Sequence, residues 1–80
     1  MTQYLIMCRS LTYAQKAARV LERAGISASV VKAPQELTGG GCGYAVSVYK
    51  SVDRAVDLLQ RQKLISGRVY KKQNGSYSEL

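Results

Sequence analysis

Cys42 is the residue whose chemistry and surroundings stand out first. It lies in the run Thr-Gly-Gly-Gly-Cys-Gly at positions 38–43, directly before a strand-like stretch. Glycine reaches backbone conformations with φ > 0 and leaves little bulk to shield a neighbouring sulfur. The run therefore predicts a loop that presents one thiol, although a hairpin loop with a small apolar residue would have the same composition.

Cys8, the second cysteine, ends an apolar stretch that starts at Tyr4. A cysteine at the end of an apolar strand is usually a small buried residue. Cys8 could therefore simply pack, or it could resolve a persulfide on Cys42 or form a reversible disulfide with it. Two cysteines without a signal-peptide pattern predict free thiols in a reducing cytoplasm.

The residue types that are missing narrow the chemistry. The chain has no histidine, which excludes a Cys–His hydrolase or a His-ligated metal site within one chain. Cys8 and Cys42 also lack the close spacing of zinc ligands, so we expect no metal and no cofactor. Without a base for proton transfer, the expected chemistry is sulfur exchange. This favours a carrier or accessory protein over a stand-alone enzyme.

The length of the chain limits the size of its core, and its net charge indicates the kind of partner that it would attract. Eighty residues bury one small core, and we expect one domain at 1–72 followed by a flexible polar tail at 73–80. The net charge of +7 would attract an acidic protein, a nucleic acid or a small anion.

Hydrophobic periodicity predicts four strands and two helices. Alternating or continuous apolar residues indicate the strands, and apolar stripes at helical spacing indicate the helices. Ser10 and Ser51 are suited to cap the two helices, and Gly25 is suited to end the first. The predicted strands are 3–8, a segment from Ile26 to just before Pro34, 44–49 and 67–72, with a loop at 34–43.

The order βαββαβ predicts an α+β fold, namely a ferredoxin-like two-layer sandwich with an antiparallel four-stranded sheet in the order 4-1-3-2. A short α/β domain with another strand order is the main alternative. In the ferredoxin-like arrangement, the end of strand 1, the start of helix 1 and the loop between strands 2 and 3 share one edge. Cys8 and Cys42 are then expected to be neighbours.

That shared edge would favour an anionic sulfur. The N-terminus of the first helix near Ser10, the charge of Arg9 and the backbone N–H groups around Gly41 and Gly43 all favour a thiolate or a persulfide anion. Arg9 could equally be a solvated surface charge.

The chain also resembles a known family. The stretches that carry the resemblance are 4–10, 21–26, Ala33-Pro34 and the Cys42-Gly43 pair that opens a strand. Together they are similar to the small bacterial domain described as selenium/sulfur (Se/S) carrier protein-like, over about residues 3 to 70. The resemblance implies that Cys42 holds sulfur or selenium as a persulfide or selenopersulfide. Sulfur carriers of the relay type place Cys-Pro-x-Pro at a helix start, where this chain has Cys8-Arg9-Ser10-Leu11, so Cys8 stays an alternative carrier.

A carrier implies a donor, such as a cysteine desulfurase or a selenium-delivering enzyme, and an acceptor protein. The sequence names neither, and it leaves a homodimer open. We expect no membrane association.

Two other functions remain as alternatives. A ligand-sensing or assembly domain could bind a small anion with the glycine-rich loop. A single-stranded RNA-binding module shares the βαββαβ order, and Gly43, Tyr44, Ala45 and Tyr49 fit its strand-3 signature. Val46, however, stands where the central stacking aromatic should be, so we do not expect a nucleic acid as partner.

Overall fold

The computed structural model describes residues 2–34, 37, 43–64 and 68–79. Within these ranges the chain is a small mixed α+β fold with two helices and an antiparallel five-stranded sheet. In chain order the elements are β1 (Gln3–Cys8), α1 (Leu11–Arg23), β2 (Ala28–Lys32), β3 (Tyr44–Val48), α2 (Val52–Arg61), β4 (Val69–Gln73) and β5 (Ser76–Glu79). No helix in this part of the chain is long and apolar enough to cross a lipid bilayer.

The sheet has the strand order β2-β3-β1-β4-β5, and each strand runs antiparallel to its neighbours. The predicted four-stranded sheet is therefore one strand short. The additional strand, β5, comes from the segment expected to be a polar tail. Asn74 and Gly75, both at positive φ (54° and 80°), form the two-residue turn that returns the chain to pair with β4.

Both helices pack on the same face of the sheet. Alternate residues of β1 and β3 point to that face, because side chains along a strand alternate between its two sides. The buried residues of this helix-side cluster are Ile6, Cys8, Ala14, Ala17, Leu21, Ile26, Val46, Val48, Ala55, Leu59, Leu64 and Val69.

The opposite face carries a second, smaller cluster. Its buried residues are Leu5, Met7, Ala33, Ala45 and Tyr70, with Val31, Leu37 and Tyr77 packed against them. The Gln3 side-chain amide donates a hydrogen bond of 2.7 Å to the hydroxyl of Ser47, which is a buried polar residue of the same face. Lys72 lies 5.5 Å from the centre of the Tyr77 ring.

The first helix is closed at both ends by its own sequence. The Ser10 hydroxyl accepts a hydrogen bond from the Tyr13 amide, which confirms Ser10 as the cap. At the other end Gly25 adopts φ 83°, and the Ile26 amide donates to the Leu21 carbonyl at 2.8 Å. This is a Schellman motif, and its two apolar members, Leu21 and Ile26, are both buried.

The second helix differs at its start. Ser51 occupies the N-cap position, as predicted, but it makes no side-chain capping bond. Its backbone is left-handed (φ 58°, ψ 37°), whereas a capping serine has extended dihedrals. The predicted position of the cap is confirmed, but the predicted capping hydrogen bond from Ser51 is not formed. The helix ends in a second Schellman motif, with Lys63 at φ 56° and the Leu64 amide donating to Leu59.

Candidate functional site

One end of the sheet gathers the segments around the cysteines. Cys8, the last residue of β1, pairs with Tyr44, the first residue of β3, and Tyr44 pairs in turn with Lys32 at the end of β2. The Ala33 amide donates a 2.9 Å hydrogen bond to the Gly43 carbonyl. Helix α1 begins three residues after Cys8, so its N-terminus lies at the same end.

Cys42 and Gly41, the predicted carrier residue and one of its flanking glycines, lie outside the described residues. Their predicted roles therefore stay predictions. The described residue nearest in sequence is Gly43, which the hydrogen bond from Ala33 ties to the end of β2. The predicted proximity of the two cysteines is likewise untested.

Cys8 is buried among the helix-side core residues, with 6% of its surface exposed. Its Sγ donates a weak hydrogen bond of 3.6 Å to the Ile6 carbonyl. Loss of solvation by burial raises the pKa of the Cys8 thiol to about 11. Since the thiolate is the reactive form, this environment opposes the activation expected at this edge and favours the packing alternative for Cys8.

Arg9 and Ser10 connect β1 to α1. Arg9 is exposed to solvent. The Ser10 hydroxyl is occupied as the cap of α1, and its carbonyl accepts from the Ala14 amide at 3.0 Å. The backbone N–H groups of Leu11 and Thr12 are in the first turn, where the helix itself offers no carbonyl to accept their hydrogen bonds. This helix start therefore presents N–H groups and the positive end of the helix dipole.

This arrangement is a solvent-facing helix start beside the end of a sheet. The model of the family described as "Putative Se/S carrier protein-like" matches residues 3–71. The chain belongs to this Se/S carrier-like family. No curated protein and no solved structure shows a significant match to the chain.

The match to the Se/S carrier-like family confirms the resemblance seen in the sequence. It extends from the start of β1 into β4 and includes both cysteines. It ends before β5, so the hairpin closed by Asn74 and Gly75 lies beyond the matched region.

The two tyrosines of the RNA-recognition overlay are Tyr44, the first residue of β3, and Tyr49, which directly follows that strand. Tyr44 packs with the helix-side cluster, and Tyr49 is exposed beyond the strand end. On the opposite face, where that fold displays its aromatics, β1 and β3 place Leu5, Met7, Ala45 and Ser47. In this Se/S carrier-like chain, β1 and β3 therefore place no aromatic side chain among the described residues of that face.

Lys32 is a residue of this end that sequence reasoning did not single out. Lys32 is exposed and pairs across the sheet with Tyr44. Tyr44 follows Cys42 by two positions in the sequence. Its signal in the sequence is weak, because a lysine before Ala33-Pro34 looks like any strand-end charge. Among the described residues, no group of three or more Cys, Asp or Glu side chains is arranged to hold a metal ion.

Proposed function

We propose that this chain carries a sulfur or selenium atom on Cys42, as a persulfide or selenopersulfide, and passes it to a partner protein. Membership in the Se/S carrier-like family supports a carrier role. The observation that supports Cys42 rather than Cys8 is the burial of Cys8, which raises the pKa of its thiol to about 11. Of the two cysteines, Cys8 is the one unsuited to nucleophilic exchange at neutral pH.

The position of Gly43 supports Cys42 as the carrier. Cys42 is bonded to Gly43, so covalent geometry alone keeps their Cα atoms about 3.8 Å apart. Gly43 is held by the Ala33 amide and precedes Tyr44, the partner of Cys8. A ferredoxin-like core, with β4-β1-β3-β2 as its four strands and β5 added at one edge, would present this end beside the N-terminus of α1.

The proposed exchange balances without an external oxidant. The Cys42 thiolate attacks the terminal sulfur of a persulfide on the donor, a bond forms between Cys42 Sγ and that sulfur, and the donor leaves as a thiolate. The reverse reaction on an acceptor thiolate regenerates Cys42. A selenopersulfide follows the same course with selenium as the transferred atom.

Two neighbouring features would stabilise the anionic states of Cys42. The start of α1 presents its N–H groups and the positive end of its dipole at this end, and Arg9, two residues before the first residue of α1, adds a full positive charge. Each favours a thiolate before transfer and a persulfide anion after it. The donor would be a cysteine desulfurase or a selenium-delivering enzyme, and the net charge of +7 favours an acidic face on either partner.

The proposal is tested by the pH dependence of alkylation at each cysteine. The reduced protein is treated with iodoacetamide across a pH series, and both sites are quantified by mass spectrometry. We expect Cys42 to react with an apparent pKa below about 8.5, and Cys8 to stay protected until well above that pH. Cysteine desulfurase with L-cysteine should then add one sulfur atom to Cys42.

Two variants serve as matched controls. Cys42→Ser should abolish sulfur uptake, and Cys8→Val should leave it within about twofold, because a buried thiol of raised pKa does not take part. Slow alkylation of Cys42 with no sulfur uptake would refute the proposal. Uptake that follows Cys8 instead would move the carrier role to β1.

A further inference from the structure

A basic groove lies on the helix side of the molecule, away from the sheet. One wall is α1, which contributes Lys16, Arg19, Val20 and Arg23, and the other is the chain leaving α2, which contributes Gln62 and Leu64. The cavity has a volume of about 400 Å³ and opens to solvent. We call this surface the α1 groove.

The charged residues among the described lining of the α1 groove are all basic. Lys16, Arg19 and Arg23 lie three and four residues apart, so they are neighbours on the helix surface, and like charges at this spacing destabilise a helix. The described residues include no acidic side chain that pairs with them. Helix α2 shows the alternative, since its Asp57 and Arg61 form an i,i+4 ion pair of 3.2 Å. Lys16, Arg19 and Arg23 of helix α1 therefore form no ion pair with a described acidic residue, although such a pair would stabilise the helix.

We propose that the α1 groove docks an acidic segment of the protein that exchanges sulfur with this chain. The inference rests on the function proposed above and assigns the partner's binding surface. The three cations span about 10 Å along α1, which suits carboxylates on one helix or strand of the partner. None of the described residues that line the groove is aromatic, so among them the bases of a nucleic acid would find no ring on which to stack.

The groove also lies close to the end of the molecule that would carry the sulfur. Lys16 lies about 7.5 Å along the helix axis from Leu11, the first residue of α1, since each residue adds about 1.5 Å. Leu11 is at the end of the sheet where Cys8 pairs with Tyr44. A partner held in the groove would thus lie beside the proposed carrier end without covering it.

The test compares two variants that remove the same number of charges. Arg19→Gln/Arg23→Gln alters the groove, and Lys50→Gln/Arg54→Gln removes two exposed cations from the start of α2, outside it. The probe is a fluorescein-labelled oligoglutamate peptide of about ten residues, long enough to span the groove as a helix or strand. Binding is measured by fluorescence anisotropy at about 50 mM salt, where screening is weak.

We expect the groove variant to weaken oligoglutamate binding by about tenfold and the control variant by less than about twofold. Arg19→Lys/Arg23→Lys, which keeps the charges, should stay within about threefold of the parent. Equal losses in the groove and control variants would overturn the proposal in favour of nonspecific attraction. Tighter, groove-dependent binding of oligouridylate would overturn it in favour of a nucleic acid.

A separate measurement distinguishes this proposal from the carrier function. Sodium tetrasulfide, a small donor that needs no docking surface, should load Cys42 equally in the parent and in the groove variant. If loading succeeds but the groove shows no selectivity for oligoglutamate, only the docking proposal fails. If oligoglutamate binds selectively but Cys42 takes up no sulfur, the carrier function fails, and with it the link between this groove and sulfur exchange.

Discussion

The two strand–helix units of this molecule, β1–α1 and β3–α2, share a layout but differ at their junctions. In the first unit, Ser10 caps the helix with its hydroxyl and Gly25 supplies the left-handed residue that ends it. In the second, Ser51 is left-handed and does not cap, and Lys63 takes the position that Gly25 holds in the first. A residue with a Cβ is strained in that conformation, so the second unit stores backbone strain and the first does not.

This difference identifies the helix start that a side-chain hydrogen bond holds in place. The start of α1 faces the end of the sheet next to Gly43, and its cap holds it in one conformation. The start of α2 lies at the opposite end, where Ser51 borders an open cleft with Tyr49 and Lys50. The relaxed unit is thus the one that would support the proposed carrier site.

The largest expected effect concerns the residues that end the two strands, Cys8 in β1 and Val48 in β3. Cys8 has a folded-state pKa of about 11 against an ordinary value of 9.0. Between these values the unfolded chain releases the thiol proton while the folded chain keeps it, so stability falls as pH rises. At about 1.4 kcal/mol per pKa unit, the loss is about 2–3 kcal/mol.

Cys8→Val gives β1 the residue type that ends β3 and removes this titration. Urea unfolding under reducing conditions, at several pH values from 8 to 11, measures the difference. We expect the parent to lose about 2–3 kcal/mol more than the variant over this range. Cys8→Ala, which cannot overpack, serves as a second variant. Equal pH dependence in all three proteins would show that the Cys8 thiol is not buried as described.

A smaller effect is expected where the helices end. At Gly25 an added Cβ meets no atom within 4 Å, so Gly25→Ala tests backbone strain alone and should cost about 1–2 kcal/mol. Lys63→Gly should stabilise the protein by about 0.5–1 kcal/mol, because glycine relieves the strain at φ 56°. Thermal and urea unfolding measure both. Destabilisation by Lys63→Gly would mean that the strain at the end of α2 is compensated.

The smallest effects are expected at the helix starts. Ser10→Ala removes the capping hydroxyl of α1 and should cost about 1 kcal/mol. Ser51→Ala removes no capping bond and should change the free energy of unfolding by less than about 0.5 kcal/mol. The pair is compared by urea unfolding under one set of conditions. Similar costs at both serines would erase the contrast between the two units.

Much of the architecture could be predicted from local pattern. Strand and helix periodicity predicts the order of the first six elements, and residue type predicts the cap at Ser10 and the stop at Gly25. Strand β5 was missed because 73–80 is polar. Its signal was Asn74-Gly75, the residue pair that a two-residue hairpin turn requires, with Tyr77 as an apolar anchor.

The candidate site was less predictable, because its properties depend on surroundings that no local pattern describes. The sequence at Cys8 fits both a reactive and a packed thiol, and only burial among residues distant in sequence raises its pKa. Ser51 has the residue type of a cap, but its left-handed backbone directs the hydroxyl to no capping bond.

By itself, the sequence determined the residues available for chemistry, the family and the order of the first six elements, because these follow from residue type and periodicity. Only the tertiary structure decided the fifth strand, the raised pKa of the Cys8 thiol and the basic groove on α1. Each of these depends on long-range neighbours: a strand edge to pair with, a core that excludes water, and a second helix end that closes one side of a basic surface.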